Sequence, residues 1–164
     1  MDLYIMRHGL AVGSFEWPGD DASRPLTEPG VARTREVIRR LAGEGRLNVG
    51  EIWSSPLVRA AQTAAIAGEV LSIRPRSVSL LACGCPPAEL DKLLQPLAGA
   101  LRGVLLVGHE PDCGLLIARL AGVPGGACPL KKAGVAYLSG SPRAGGMQLR
   151  WRLSPKEILG ERKS

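Results

Sequence analysis

No apolar stretch of this 164-residue chain approaches the roughly 20 residues that cross a bilayer, which argues against a transmembrane helix. No secretory leader is expected either, because Asp2 and Arg7 bracket a run of only four apolar residues. A cytoplasmic protein without a membrane partner is therefore expected. Aromatic residues number only six, and no nucleic-acid motif appears. With few stacking platforms and scattered arginines, the net charge of +6 does not point to nucleic acid. Lysine is sparse, five against sixteen arginines. Cysteine is sparse as well, and the irregular spacing of Cys83, Cys85, Cys113 and Cys128 suits free thiols better than a disulfide framework. Cys83-Gly84-Cys85 has no second pair, as a zinc site would need. No metal and no cofactor are expected.

Histidine is scarcer still, and here scarcity is informative. The chain has two, and each stands where an apolar run stops. Leu3-Tyr4-Ile5-Met6 leads into Arg7-His8-Gly9, and Val104-Leu105-Leu106-Val107 leads into Gly108-His109-Glu110-Pro111. Short apolar runs bounded by glycine or proline read as buried, parallel strands. Ligands of open α/β sheets sit at the carboxyl ends of such strands.

Strand and helix patterns alternate along the chain. A loop at 10–25 follows the first strand, and Thr27 opens a helix with Val31, Val37, Ile38 and Leu41 on one face. Strands are expected at 51–54, 78–81 and 104–107, each followed by a helix, at 56–71, 87–97 and 111–121. Segments 135–139 and 147–153 form a closing antiparallel pair around a Pro-Gly-rich turn. Residues 156–164 read as a charged, frayed end. Repeated βα units predict a three-layer α/β fold, one domain over 1–164, with a mostly parallel central sheet flanked by helices.

Three strand ends carry chemistry. Arg7 and His8 close the first. Ser55 and Pro56, read as N-cap and first helical residue, close the second and bring Arg59 into the following helix. A cation near a helix N-terminus is locally unfavourable, and a bound anion would reverse that cost. His109 closes the third, just before another helix. Two arginines can hold a phosphoryl group through bidentate, charge-assisted bonds. One imidazole can attack phosphorus, and the other can donate to its oxygens as charge spreads over them.

These residues resemble the histidine phosphatase superfamily, of phosphoglycerate-mutase-like fold. The resemblance rests on Ile5-Met6-Arg7-His8-Gly9, the segment from Arg24-Pro25-Leu26-Thr27 to Gly30, the segment from Ser55-Pro56 through Arg59 to Ala64, and Leu106-Val107-Gly108-His109. The short length, Arg24-Pro25-Leu26-Thr27 and Trp151-Arg152-Leu153-Ser154-Pro155 resemble the branch of SixA-type protein phosphohistidine phosphatases, without a large lid insertion. The resemblance implies that His8 is the nucleophile, that Arg7 and Arg59 clamp the phosphoryl group, and that His109 completes the pocket. Arg24 is a further phosphate-binding candidate, with a surface-loop role left open.

The chain departs from larger members, which carry a glutamate as general acid after the third strand. Glu89, Asp20, Asp21 and Glu110 stay open as acids, none assigned. An alkoxide leaving group needs a proton in the transition state, whereas phosphohistidine leaves as neutral imidazole. The expected activity is metal-independent hydrolysis of phosphohistidine on a partner protein, such as a histidine-containing phosphotransfer domain, in a signal-transduction setting. A small-molecule phosphomonoesterase and a non-catalytic phosphate-binding module are the alternatives.

Overall fold

The computed structural model describes residues 1–84, 86–99 and 102–161, so Cys85 and the last residues of the charged end, 162–164, lie outside the described residues. β1 (Asp2–Arg7) buries Leu3, Tyr4, Ile5 and Met6 without alternation, because both its faces are covered. Leu3 and Ile5 enter one core, and Tyr4 and Met6 enter the other. β4 (Gly103–Gly108) divides likewise, with Val104 and Leu106 in the first core and Leu105 and Val107 in the second. A continuous apolar run is what a strand between two layers requires.

The six-stranded sheet has the order β3-β2-β4-β1-β5-β6. β2 (Val49–Ser54) and β3 (Arg76–Ser77) run parallel to β4 and β1, and β5 (Val135–Gly140) and β6 (Met147–Leu153) close the sheet antiparallel. Val37, Ile38 and Leu41 of α1 (Glu28–Gly43), Ala60, Ala64 and Ala67 of α2 (Val58–Leu71) and Ile158 of α5 (Pro155–Leu159) build the second core. Leu90 and Leu94 of α3 (Pro87–Leu94) and Leu116, Ile117 and Leu120 of α4 (Asp112–Ala121) build the first. β1 therefore leads to a helix on one face, while its neighbour β4 leads to a helix on the other. Between such strands the connections diverge and leave a crevice at the carboxyl ends.

α1 begins as the sequence predicts, with the Thr27 hydroxyl accepting from Gly30 N–H at 3.1 Å. Three expectations need correction. The strand expected at 78–81 is β3 at Arg76–Ser77, followed by a 3₁₀ turn, Ser79–Leu81. β2 ends at Ser54, whose carbonyl accepts from Val78 N–H at 2.8 Å, so the chain has no partner strand beyond that point and turns to bury Leu81. Ser55 does not cap α2, since its own N–H still donates to Val107 in the sheet and Leu57 takes the cap position without a side-chain bond. The last residues are not all frayed. Ser154 and Glu157 form a capping box that starts α5, and Ile158 is buried.

Candidate active site

Register brings the two imidazoles together. Arg7 stands opposite Gly108 in the parallel β1/β4 pair, so the next residues, His8 and His109, leave adjacent strands at the same level. His8 N–H donates to Gly108 at 3.0 Å, and the ring centroids lie 5.2 Å apart at 54°. Ser54 stands opposite Val107 on the other side of β4. Ser55 thereby comes level with Gly108, one residue before His109, with its Oγ 2.7 Å from His109 Nε2.

His8 is buried, and its Nδ1 lies 2.7 Å from the Gly9 carbonyl oxygen. A carbonyl only accepts, so Nδ1 carries the proton and Nε2 keeps the lone pair. Burial pulls the His8 pKa down to about 3; Gly9 opposes this, and His109, Arg59 and Arg7 reinforce it. The ring is neutral near pH 7. Gly9 is required by close approach, because a methyl group there would collide with Thr34 Oγ1. Its N–H donates to Thr63 Oγ1 at 3.0 Å, and the Thr63 hydroxyl donates to the Arg59 carbonyl at 2.8 Å. One threonine thus ties the β1 end to α2.

His109 is also buried and neutral, its pKa lowered to about 4 first by burial and next by Arg59. Ser55 Oγ also accepts from Leu57 N–H at 3.2 Å, and its hydroxyl hydrogen is placed to donate to His109 Nε2 when the ring carries its proton on Nδ1. In that tautomer Nδ1 bears the proton, and this buried Nδ1 has no partner.

Arg59 lies buried in the first turn of α2. It donates through Nη1 to the Asp21 carbonyl at 2.7 Å and through Nη2 to Asp21 Oδ2 at 2.9 Å. Arg24 joins the same carboxylate, with Nε and Nη2 on Asp21 Oδ1 at 2.9 and 2.8 Å, and its Nη1 donates to Val12 at 2.6 Å. Arg24 is thus one carboxylate away from Arg59. Arg7 donates through Nη1 to the Leu130 carbonyl at 3.0 Å, while Leu130 N–H donates to Glu110 Oε1 at 2.9 Å. Glu110 in this way holds the peptide that holds Arg7.

The four acids left open by the sequence are each committed. Asp20 accepts from Ser23 N–H at 2.8 Å, and Glu89 pairs with Lys92 at 3.1 Å on α3. Glu110 holds Leu130. The hydrogen bond from Arg24, aided by Arg59, keeps the Asp21 pKa below the usual carboxylate range. Five buried side-chain nitrogen or oxygen atoms lack a partner among the described residues, and three of them are Arg7 Nε, Arg59 Nε and His109 Nδ1. Buried donors are nearly always satisfied, so a cluster of unsatisfied ones around two guanidinium groups suits an anion. Among the described residues, no three His, Cys, Asp or Glu side chains gather as a metal site would need. No helix there is long and apolar enough to cross a membrane.

Sequence reasoning named His8, Arg7, Arg59 and His109, and the fold gathers them. It missed Thr63, took Ser55 for a cap, and attached no role to Leu130. Thr63 had a signal, lying four residues after Arg59 on one helix face. Leu130 had none, since only the sheet order brings it beside Arg7.

Known proteins share the family and the fold of this chain. Residues 3–82 match the family described as the histidine phosphatase superfamily (branch 1). An uncharacterized protein of Picosynechococcus sp. is 39% identical over 150 residues, covering 87% of this chain and 88% of that protein. The protein histidine phosphatase SixA, solved with tungstate, superposes with a TM-score of 0.84 at 27% identity, over 96% of this chain and 99% of its own. A mycobacterial glucosyl-3-phosphoglycerate phosphatase shares the fold, with a TM-score of 0.73 at 21% identity over 93% of this chain and 99% of its own.

Proposed function

The chain belongs to the histidine phosphatase superfamily and is a phosphatase, and from that premise we propose that it hydrolyses phosphohistidine on a partner protein through His8. The proposal treats residues 1–164 as one catalytic domain. The observation that carries it is the meeting of a neutral His8, its lone pair on Nε2, with three unpartnered nitrogens of Arg7, Arg59 and His109.

In the first step His8 Nε2 attacks phosphorus, and the bond from phosphorus to the substrate nitrogen breaks. The substrate imidazole leaves with its electron pair, neutral once its ring holds one proton. Arg7 and Arg59 neutralise the phosphoryl oxygens, and His109 donates Nδ1–H where charge develops. Ser55 keeps His109 in that tautomer. In the second step water attacks phospho-His8, releasing inorganic phosphate and restoring Nε2. The capture of tungstate by the similar SixA structure accords with a pocket for a tetrahedral oxyanion.

Two features favour a P–N bond over a P–O bond. Asp21, the carboxylate on Arg59, is held ionised by Arg24 and Arg59 and so does not offer the proton an alkoxide leaving group demands, while Asp20, Glu89 and Glu110 bond Ser23, Lys92 and Leu130. Among the described residues, the chain between β3 and β4 holds short helical turns and α3 and no large lid. A site without a large lid can meet a residue displayed on another protein, and a histidine-containing phosphotransfer domain is the substrate class that fits. Nucleic acid and membrane play no part in this reading, which places the reaction in the cytoplasm as a signal-terminating step.

A small phosphate ester is the competing substrate, because the same fold serves the glucosyl-3-phosphoglycerate phosphatase. The test compares kcat/KM on a phosphohistidine protein with that on aliphatic phosphate esters. Phosphohistidine should win. A preference for esters of about 100-fold, ~2.7 kcal/mol of transition-state discrimination, would overturn the proposal.

A further inference from the structure

The sheet edge that presents His8 also gathers most of the chain's lysine. Met6 stands opposite Val135 and Val135 opposite Leu153, so the loop before β5 and the turn after β6 open at the edge where β1 ends. Ala133 N–H lies 3.1 Å from both the Arg7 and His8 carbonyls, and Arg7 N–H donates to Gly134 at 3.2 Å. With the Arg7–Leu130 bond, these contacts strap segment 130–134 onto the nucleophile's own backbone. Lys131 and Lys132 are exposed within that strap.

Across from them lies Lys156, exposed in the first turn of α5. Arg7, Arg33, Lys131, Lys132 and Lys156, with Ser154 and Pro155, line one groove of about 540 Å³. No carboxylate lines it. Glu161, nearby, is held bidentately by Arg33 at 2.7 and 2.8 Å, and none of the three lysines is in an ion pair among the described residues. Three of only five lysines in the chain therefore meet here.

We propose that this lysine groove docks an acidic surface flanking the phosphohistidine of the protein substrate. The proposal rests on the protein-substrate reading above and names the partner's chemistry. A small phosphate ester carries its charge within the four-residue site and gains little from cations beside it, whereas a protein must be oriented over a wider surface before its phosphoryl group meets His8. Lysine suits that task, being a hydrated, flexible point charge that speeds encounter without a rigid fixed geometry. Arginine supplies the rigid fork within the site, and lysine the field beside it.

The experiment compares wild type with the triple variant K131E/K132E/K156E on two substrates, a phosphorylated, net-acidic phosphotransfer domain and p-nitrophenyl phosphate. On the phosphoprotein, kcat/KM should fall about tenfold or more, through KM, and lose most of its salt dependence. On the aryl phosphate it should stay within about twofold, as expected for charges that act on encounter alone. The triple lysine-to-glutamine variant should show the same split more mildly, which guards against a folding defect. An unchanged kcat/KM on the phosphoprotein, or equal losses on both substrates, overturns the docking proposal. A wild-type enzyme that hydrolyses the aryl phosphate but no phosphoprotein instead refutes the substrate reading, and the docking proposal falls with it. An unchanged kcat/KM on the phosphoprotein with lysine-dependent binding of a single-stranded oligonucleotide assigns the groove to nucleic acid and overturns the proposal.

Discussion

At the end of β6, Ser154 Oγ accepts from Glu157 N–H at 3.3 Å while the Glu157 carboxylate accepts from Ser154 N–H at 2.8 Å. Two donors that a helix start leaves open are thereby closed within the chain. Beyond the ends of β1, β2 and β4, two to four strands away in the same sheet, Arg7 Nε, Arg59 Nε in the first turn of α2 and His109 Nδ1 are buried with no acceptor among the described residues. Each such donor costs on the order of 1–3 kcal/mol of folding free energy. One edge of one sheet thus spends its polar groups on the fold at one place and withholds them at another. Local rules are broken where a ligand is meant to complete them.

Substitutions can break or sharpen that contrast. His8→Ala should lower phosphatase turnover about 10⁴-fold or more, and acid-labile phosphate should vanish from the enzyme in rapid-quench labelling. Arg59→Lys keeps the charge but loses the planar fork, so kcat/KM should fall about 100-fold while circular dichroism is unchanged. Ser55→Ala frees His109 from its Nε2 partner and should cost about tenfold in kcat, with little change in KM. A Ser55→Thr variant retaining the hydroxyl should recover part of that loss.

The pH dependence tests the same edge through stability. The folded pKa values of His8 and His109 lie at about 3 and about 4, below the ordinary 6.5 of the unfolded chain. Protons therefore bind the unfolded chain first, and stability that is complete above pH 6.5 declines as pH falls toward 4. The slope should approach about 1.4 kcal/mol per pH unit for each histidine. Urea titrations of His8→Asn and wild type between these limits should differ in slope by one histidine's share, and equal slopes would refute the neutral, buried state of His8. The smallest effect belongs to the other end. Glu157→Gln should cost about 0.5–1 kcal/mol of stability and leave kcat/KM on p-nitrophenyl phosphate unchanged, because the capping box lies outside the four-residue site.

The βα alternation was readable because continuous apolar runs and capped helix starts are local signals. Leu3–Met6 and Val104–Val107 gave both central strands, and Thr27 gave the start of α1. The strand expected at 78–81 failed for a non-local reason, namely that its partner β2 ends at Ser54. Ser55-Pro56 has the composition of a helix start, yet the serine hydroxyl is claimed by His109, 54 residues away. In the site, His8, Arg7, Arg59 and His109 were legible as rare or locally awkward residues at strand and helix ends. Thr63 also stood on the Arg59 face of α2, whereas the parts of Asp21, Glu110 and Leu130 emerged only from contacts across the fold.

Residue order alone determined which side chains could perform the chemistry and that a parallel sheet would carry them, since burial periodicity and end signals are written in neighbouring residues. Tertiary structure decided what those side chains are. The parallel register of β1 on β4 sets the imidazoles 5.2 Å apart, and the surrounding burial makes both neutral. Strand pairing and desolvation depend on residues remote in the chain, so no local reading contains them.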